Sequence, residues 1–178
     1  MIKKIIPYSA LSLMTLTNVY ASEDEFKQQP IELESFSVVN TTPLGAAIST
    51  EKVPTNIQVM TAEDLENAQS ISIADYMNQY MGSVTVNDAQ NNPLQQDVQY
   101  RGFTVSPLMG LPQGLSIYMN GVRFNEAFGD NVHWDLIPKG AIDTMSLQSG
   151  SNPAYGLNSL GGAIALKTKT GFTAPEHS

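Results

Sequence analysis

The chain has 178 residues, of which 42% are hydrophobic, enough for one domain with one core. It has no cysteine, which excludes a disulfide framework and a thiolate metal centre. Seventeen acidic residues against nine basic ones give a net charge of −8, the wrong sign for a nucleic-acid binder, which needs a basic face.

The first 21 residues read as a signal peptide. Lys3 and Lys4 precede an apolar stretch over 5–16 that Pro7 interrupts, too short to span a membrane, and Val19-Tyr20-Ala21 supplies small residues around a cut after Ala21. This order favours an exported chain over a buried first helix. Removing the leader leaves seven basic and 17 acidic residues, a net charge of −10, which suits a periplasmic or outer-membrane protein. Residues 22–52 read as a flexible N-terminal segment, polar over 22–29. Within it "IELESFSVVN" (31–40) alternates in the manner of a short strand with no hairpin partner beside it, and 41–50 is a spacer of small and turn-forming residues.

A compact domain is expected over 53–171. "TNIQVMT" (55–61) predicts a strand, and Thr61 predicts a helix cap with Glu63 and Asp64 in the first turn. Ser72 opens a second helix, in which Ile73, Tyr76, Met77, Tyr80 and Met81 share one apolar face. Asp75 gives it a capping-box spacing, and Gly82 is expected to close it. "SVTV" (83–86), a polar loop (87–96) and "DVQYRGF" (97–103) follow. "LSIYMNGVRF" (115–124) predicts a hairpin on a type I′ Asn120-Gly121 turn. "AIDTMSLQS" (141–149) and "AIALKTK" (163–169) are the last strands. The fold class is α+β, a small and mostly β mixed sheet with two short helices.

The sequence offers no catalytic constellation. The glycine-rich stretch 156–162 places Gly162 where a phosphate-binding loop needs lysine, and a strand follows it where that loop needs a helix. There is no Gly-x-Ser-x-Gly elbow, and His133 and His177 have no metal-ligand partner at helical or hairpin spacing. We therefore expect no enzyme, no metal and no cofactor. Arg101, at a strand end in "QYRGF", is either a solvated surface arginine or one held in a tight turn to meet a carboxylate on another wall.

The order "SIADYMNQYMGSVTVND", "VQYRGF", "IYMNGVRF", "IPKGAIDTMSLQSGSNPAYGLNSLGGAIALKTKTG" resembles the plug domain of TonB-dependent outer-membrane receptors over about 53–171. The resemblance implies a plug that sits inside a barrel of about 22 strands and closes its lumen. It implies that 31–40 contains the TonB box, centred on Ser35, Phe36, Ser37, Val38 and Val39. Such an extended segment adds a strand to the edge of the TonB periplasmic domain; the alternative is an ordinary edge strand of the plug. It implies that Arg101 latches the plug to glutamates on the barrel wall, whereas Ser146 and Ser149 stand where the family often has a second charged pair. Ligand contact is implied for the outward loops 104–113 and 125–134, by Gln113, Phe128, His133 and Trp134, although core packing explains the aromatic residues equally well.

The implied function is gating of energy-dependent uptake of a small-molecule ligand such as an iron–siderophore, in the cell outer membrane through the barrel. Barrel strands of roughly ten residues each need several hundred more residues than this sequence supplies. The reading is thus a truncated receptor with residues 172–178 leading toward an absent barrel, and the strand 163–169 facing that missing partner. The alternative is a free-standing periplasmic module that binds TonB or a ligand.

Overall fold

The computed structural model describes residues 38–40, 47–49 and 52–174. The predicted leader, the polar stretch after it, Ser35, Phe36, Ser37 and His177 lie outside the described residues. What is described is an α+β fold, with ten strands in three sheets and two α-helices.

β1 (Val38–Asn40) pairs antiparallel with β2 (Ala47–Ser49), Val39 facing Ile48. This corrects the expectation of a strand without a hairpin partner: the spacer itself contains the second strand.

β3 (Ile57–Thr61) runs directly into α1 (Ala62–Asn67). Thr61 Oγ1 accepts the Asp64 N–H at 3.3 Å, and Asp64 Oδ2 accepts the Thr61 N–H at 2.9 Å, a reciprocal capping box. The Thr61 backbone N–H, and then its hydroxyl, hold the Asp64 carboxyl below the usual carboxylate range. α2 (Ile73–Tyr80) is capped by Ser72, whose Oγ accepts from Asp75 N at 3.0 Å. The Asp75 carboxylate reaches past the cap to Ile71 N at 3.1 Å. Ile73, Tyr76, Met77 and Met81 are buried as the periodicity predicts, and Tyr80 stays 59% exposed, stacked on Tyr76. Gly82 does not close the helix. Met81 ends it in extended backbone, and the side chain of Gln58 clamps Gly82 by accepting its N–H at 2.7 Å and donating to its carbonyl at 3.0 Å.

β4 (Val84–Asp88), β5 (Gln96–Tyr100) and β6 (Phe103–Val105) form an antiparallel three-stranded sheet. The stretch read as one strand over 97–103 is thus a hairpin. The five-stranded sheet has the order β3-β9-β10-β7-β8, with β7 (Leu115–Met119), β8 (Val122–Arg123), β9 (Ile142–Ser149) and β10 (Gly162–Thr168). Asn120 and Gly121, at φ 50° and 83°, have the positive φ values that a type I′ turn needs.

β10 corrects another expectation. It does not face an absent partner; it is the central strand, antiparallel to β9 and parallel to β7. Register alternation puts Met60, Met145 and Leu166, and Leu147, Ile164 and Ile117, on one face. That face joins α1, α2 and the three-stranded sheet in the main core. The opposite face carries Gln148, Ala163 and Ser116 in one row, under Tyr155 of the glycine-rich loop. Lys139 ties the turn before β9 to the end of α1, its Nζ donating to Ala68 O and Ser70 O at 2.9 Å each. Among the described residues no helix is long and apolar enough to cross a membrane.

Candidate functional site

Arg101 and Gly102 are the two central residues of the β5–β6 turn, with φ of 52° and 87°. Such a two-residue left-handed turn closes a hairpin in step with strand twist and puts its first side chain on the outer tip. The Arg101 N–H donates to Ser83 O at 3.2 Å, and its guanidinium lies 5.2 Å from the Tyr100 ring. Among the described residues it has no carboxylate partner. Each sequence reading keeps one observation: Arg101 is exposed, and it sits in a tight turn with no carboxylate on another wall among the described residues. Ser146 and Ser149 are buried in β9.

β6 leads into the loop 106–113. Ser106 is fully buried and uses all its polar groups. Its N–H donates to Gln113 Oε1 at 2.8 Å, its hydroxyl donates to Asp97 of β5 and accepts from Leu108 N, and its carbonyl accepts from Val132 N at 3.0 Å. One serine therefore joins β5, the 106–113 loop and the loop after β8. Gln113, predicted to touch ligand, spends its amide oxygen bracing this loop.

The loop 124–134 is shaped by Asn125, whose Oδ1 accepts from Ile117 N at 2.7 Å and whose Nδ2 donates to Leu115 O and Asp130 O at 3.1 Å each. Phe128 stands 77% exposed at its tip. His133 is half-buried, with Nε2 3.2 Å from Glu126 Oε1. Trp134 is 1% exposed and belongs to the main core, which corrects its assignment as a stacking residue for ligand. The packing alternative holds for it: in the short 3₁₀ segment 134–136 the indole is buried while Asp135 and Leu136 stay exposed.

The glycine-rich loop 150–161 lies at the same end of the sheet. Gly161 N donates to Gly114 O at 2.9 Å, and Gly150 N to Gly161 O at 3.1 Å. Tyr155 anchors its first half, buried against Tyr118, whose hydroxyl donates to Tyr155 O at 2.8 Å. Burial pushes the Tyr155 phenol up, against a hydrogen bond from Gln148. Residues 157–158 meet Arg123 and Asp130: Arg123 Nη2 donates to Asp130 Oδ1 at 2.9 Å and to Leu157 O at 2.8 Å, and the Asn158 amide donates to Asp130 Oδ2. A cavity of about 330 Å³ separates this loop from the segment 52–55, lined by Val53, Pro54, Gln148, Asn152, Tyr155 and Ala163 among others.

The sequence reading missed Asp97, Ser106, Arg123, Asp130 and Asn158. The one local signal was turn chemistry, since Gly129-Asp130 and Asn158 all sit at positive φ. Among the described residues no cluster of three or more His, Asp or Glu is spaced to hold a metal.

The TonB-dependent receptor plug domain family model matches residues 49–163, more than half the chain. The chain belongs to that family. The plug topology recurs in solved structures, of which three serve as examples. The ferripyoverdine receptor of the outer membrane of Pseudomonas aeruginosa, bound to ferripyoverdine, is 18% identical with a TM-score of 0.55, over 75% of this chain and 16% of that one. The alcaligin outer-membrane receptor of Bordetella pertussis is 15% identical with a TM-score of 0.55, over 75% and 21%. The ferric preacinetobactin receptor of Acinetobacter baumannii is 20% identical with a TM-score of 0.50, over 74% and 18%. At these identities the likeness is one of fold, and this plug spans about a fifth or less of each receptor's length. No curated protein matches the sequence. The matched family is a receptor plug domain, not a family of enzymes.

Proposed function

We propose that this plug closes the lumen of an outer-membrane β-barrel and opens it when TonB draws on the N-terminal segment. The uptake it gates is of a small ligand such as an iron–siderophore. The observation that carries this reading is the family match across 49–163, on a chain whose β1 lies just ahead of it. In this reading Ser35 to Val39 form the TonB contact. β1 is already extended and laddered with β2, and an extended strand that exchanges one edge for another is how β-addition partners bind.

Arg101 takes the role of barrel latch. Its tip position leaves the guanidinium available to a carboxylate outside the described residues, where a fixed pair is stronger than a mobile one. Ligand contact falls to Phe128 and His133, with Gln113 holding its loop in shape. The ligand class comes from the family, not from the plug's own geometry.

The test is retention of the full chain on immobilised TonB periplasmic domain, compared with Val38→Pro. Proline removes a backbone donor and breaks the added ladder. Retention of the wild-type chain and its loss in the variant is the expected result; equal retention of both would place the TonB contact elsewhere.

A further inference from the structure

Residues 157–158 of the glycine-rich loop hang from the rest of the fold by a few polar contacts, while beyond them Ser159 is buried with its hydroxyl donating to Gly156 O at 2.7 Å and Gly161 N donates to Gly114 O. Arg123 Nη2 bridges Asp130 Oδ1 and Leu157 O, and Asn158 occupies the other Asp130 oxygen. Among the described residues these are the hydrogen bonds that tie 157–158 to another loop. Leu157 is 82% exposed, so apolar burial does not hold this stretch in place. An exposed ion pair alone contributes little. Here, though, one guanidinium and one carboxylate join two loops, and the two side chains are only 28% and 23% exposed. Asp130 and Asn158 both adopt left-handed backbone, with φ of 54° and 56°. Asp and Asn tolerate that region best, so each residue type suits both its backbone and its partner. The first half of the loop is held separately by Tyr155, and Asn125 Nδ2 fastens the Asp130 carbonyl beside β7.

We propose that Arg123, Asp130 and Asn158 are positioning residues that lock 156–160 to the loop 124–134. Leu157 and Leu160 then keep a fixed position relative to Phe128, and the two loops meet or leave a ligand as one body. This rests on the reading of 125–134 as a ligand-contact loop, and adds the glycine-rich loop to that site.

The test is ¹⁵N relaxation on the full chain, comparing wild type, Asp130→Asn, Asn158→Asp and the double variant. All three variants keep residues suited to positive φ. Asp130→Asn leaves an amide facing two donors, and Asn158→Asp sets two carboxylates against each other. The double variant exchanges acid and amide between the loops and restores a donor opposite an acceptor. For 156–160, wild type should show order parameters near the rigid value of about 0.85, and each single variant should fall below about 0.6. Residues 150–155 and the urea midpoint should hold, and the double variant should return to wild-type order. The proposal is overturned by rigid single variants, by loosening that extends equally into 150–155 with a lower midpoint, or by a double variant as loose as the singles. The readout needs neither TonB nor ligand, so failure of the TonB contact would leave it standing.

Discussion

At the level of single residues the cap of α1 makes the sharpest statement. Thr61 and Asp64 satisfy each other's backbone N–H, and both are exposed, so little else acts on them. Thr61→Ala should cost about 1 kcal/mol in urea denaturation, the typical loss of an N-cap oxygen. The pH dependence follows from the sign of the Asp64 shift. Its folded value is depressed, so its contribution is complete above the unfolded carboxyl value of about 3.9 and is lost as pH falls through the lower folded value. Asp64→Asn should flatten that acid limb and leave the neutral-pH slope unchanged; an unaltered acid limb would show that the cap is not formed in solution. Thr61 was readable from sequence because its partner lies three residues away. Trp134 was not, since nothing in "HWDL" says which way a short 3₁₀ turn will roll the indole. Ser106 and Asp130 were invisible for a related reason: their partners lie across loops that only the fold brings together.

Among the elements, β10 is the one whose place the alternating pattern could not give. Alternation reports that a strand has two faces, and pairing order is a property of the whole sheet. The chain enters β10 through Gly162, at φ 144°, where an added Cβ would stand 2.1 Å from the Gln148 carbonyl oxygen. That contact exists only because β10 is seated directly against β9. Gly162→Ala should therefore cost about 3 kcal/mol or more in urea denaturation, the range of backbone strain with a core clash, while Gly171→Ala, with open space around it, should stay within about 0.5 kcal/mol. Equal midpoints for the two variants would remove β10 from the centre of the sheet. The same distinction explains the hairpins. Asn120-Gly121 announces itself by residue type, whereas Arg101-Gly102 hides within an apparently continuous run, because arginine is an unusual first residue for a left-handed turn. β1 falls within the stretch read as strand-like, whereas β2 escaped notice because three residues carry too little periodicity to register.

For the whole molecule, the order of motifs was more informative than any one of them. The α+β class, both helices, the Asn-Gly hairpin and the plug resemblance all follow from local signals placed in sequence, and the family match over 49–163 agrees. The seating of loops around Ser106 and Asp130, and the central position of β10, depend on contacts between distant residues, which one sequence does not display. Under the proposed function the pull of TonB enters at Ser35 to Val39, ahead of the matched plug, and leaves the five-stranded sheet intact at first contact. The most direct measurement is hydrogen exchange on the full chain with and without the TonB periplasmic domain. Protection confined to 35–39, with amides of β9 and β10 unchanged, is the predicted result; protection along the β3 or β8 edges while 35–39 exchanges freely would contradict it.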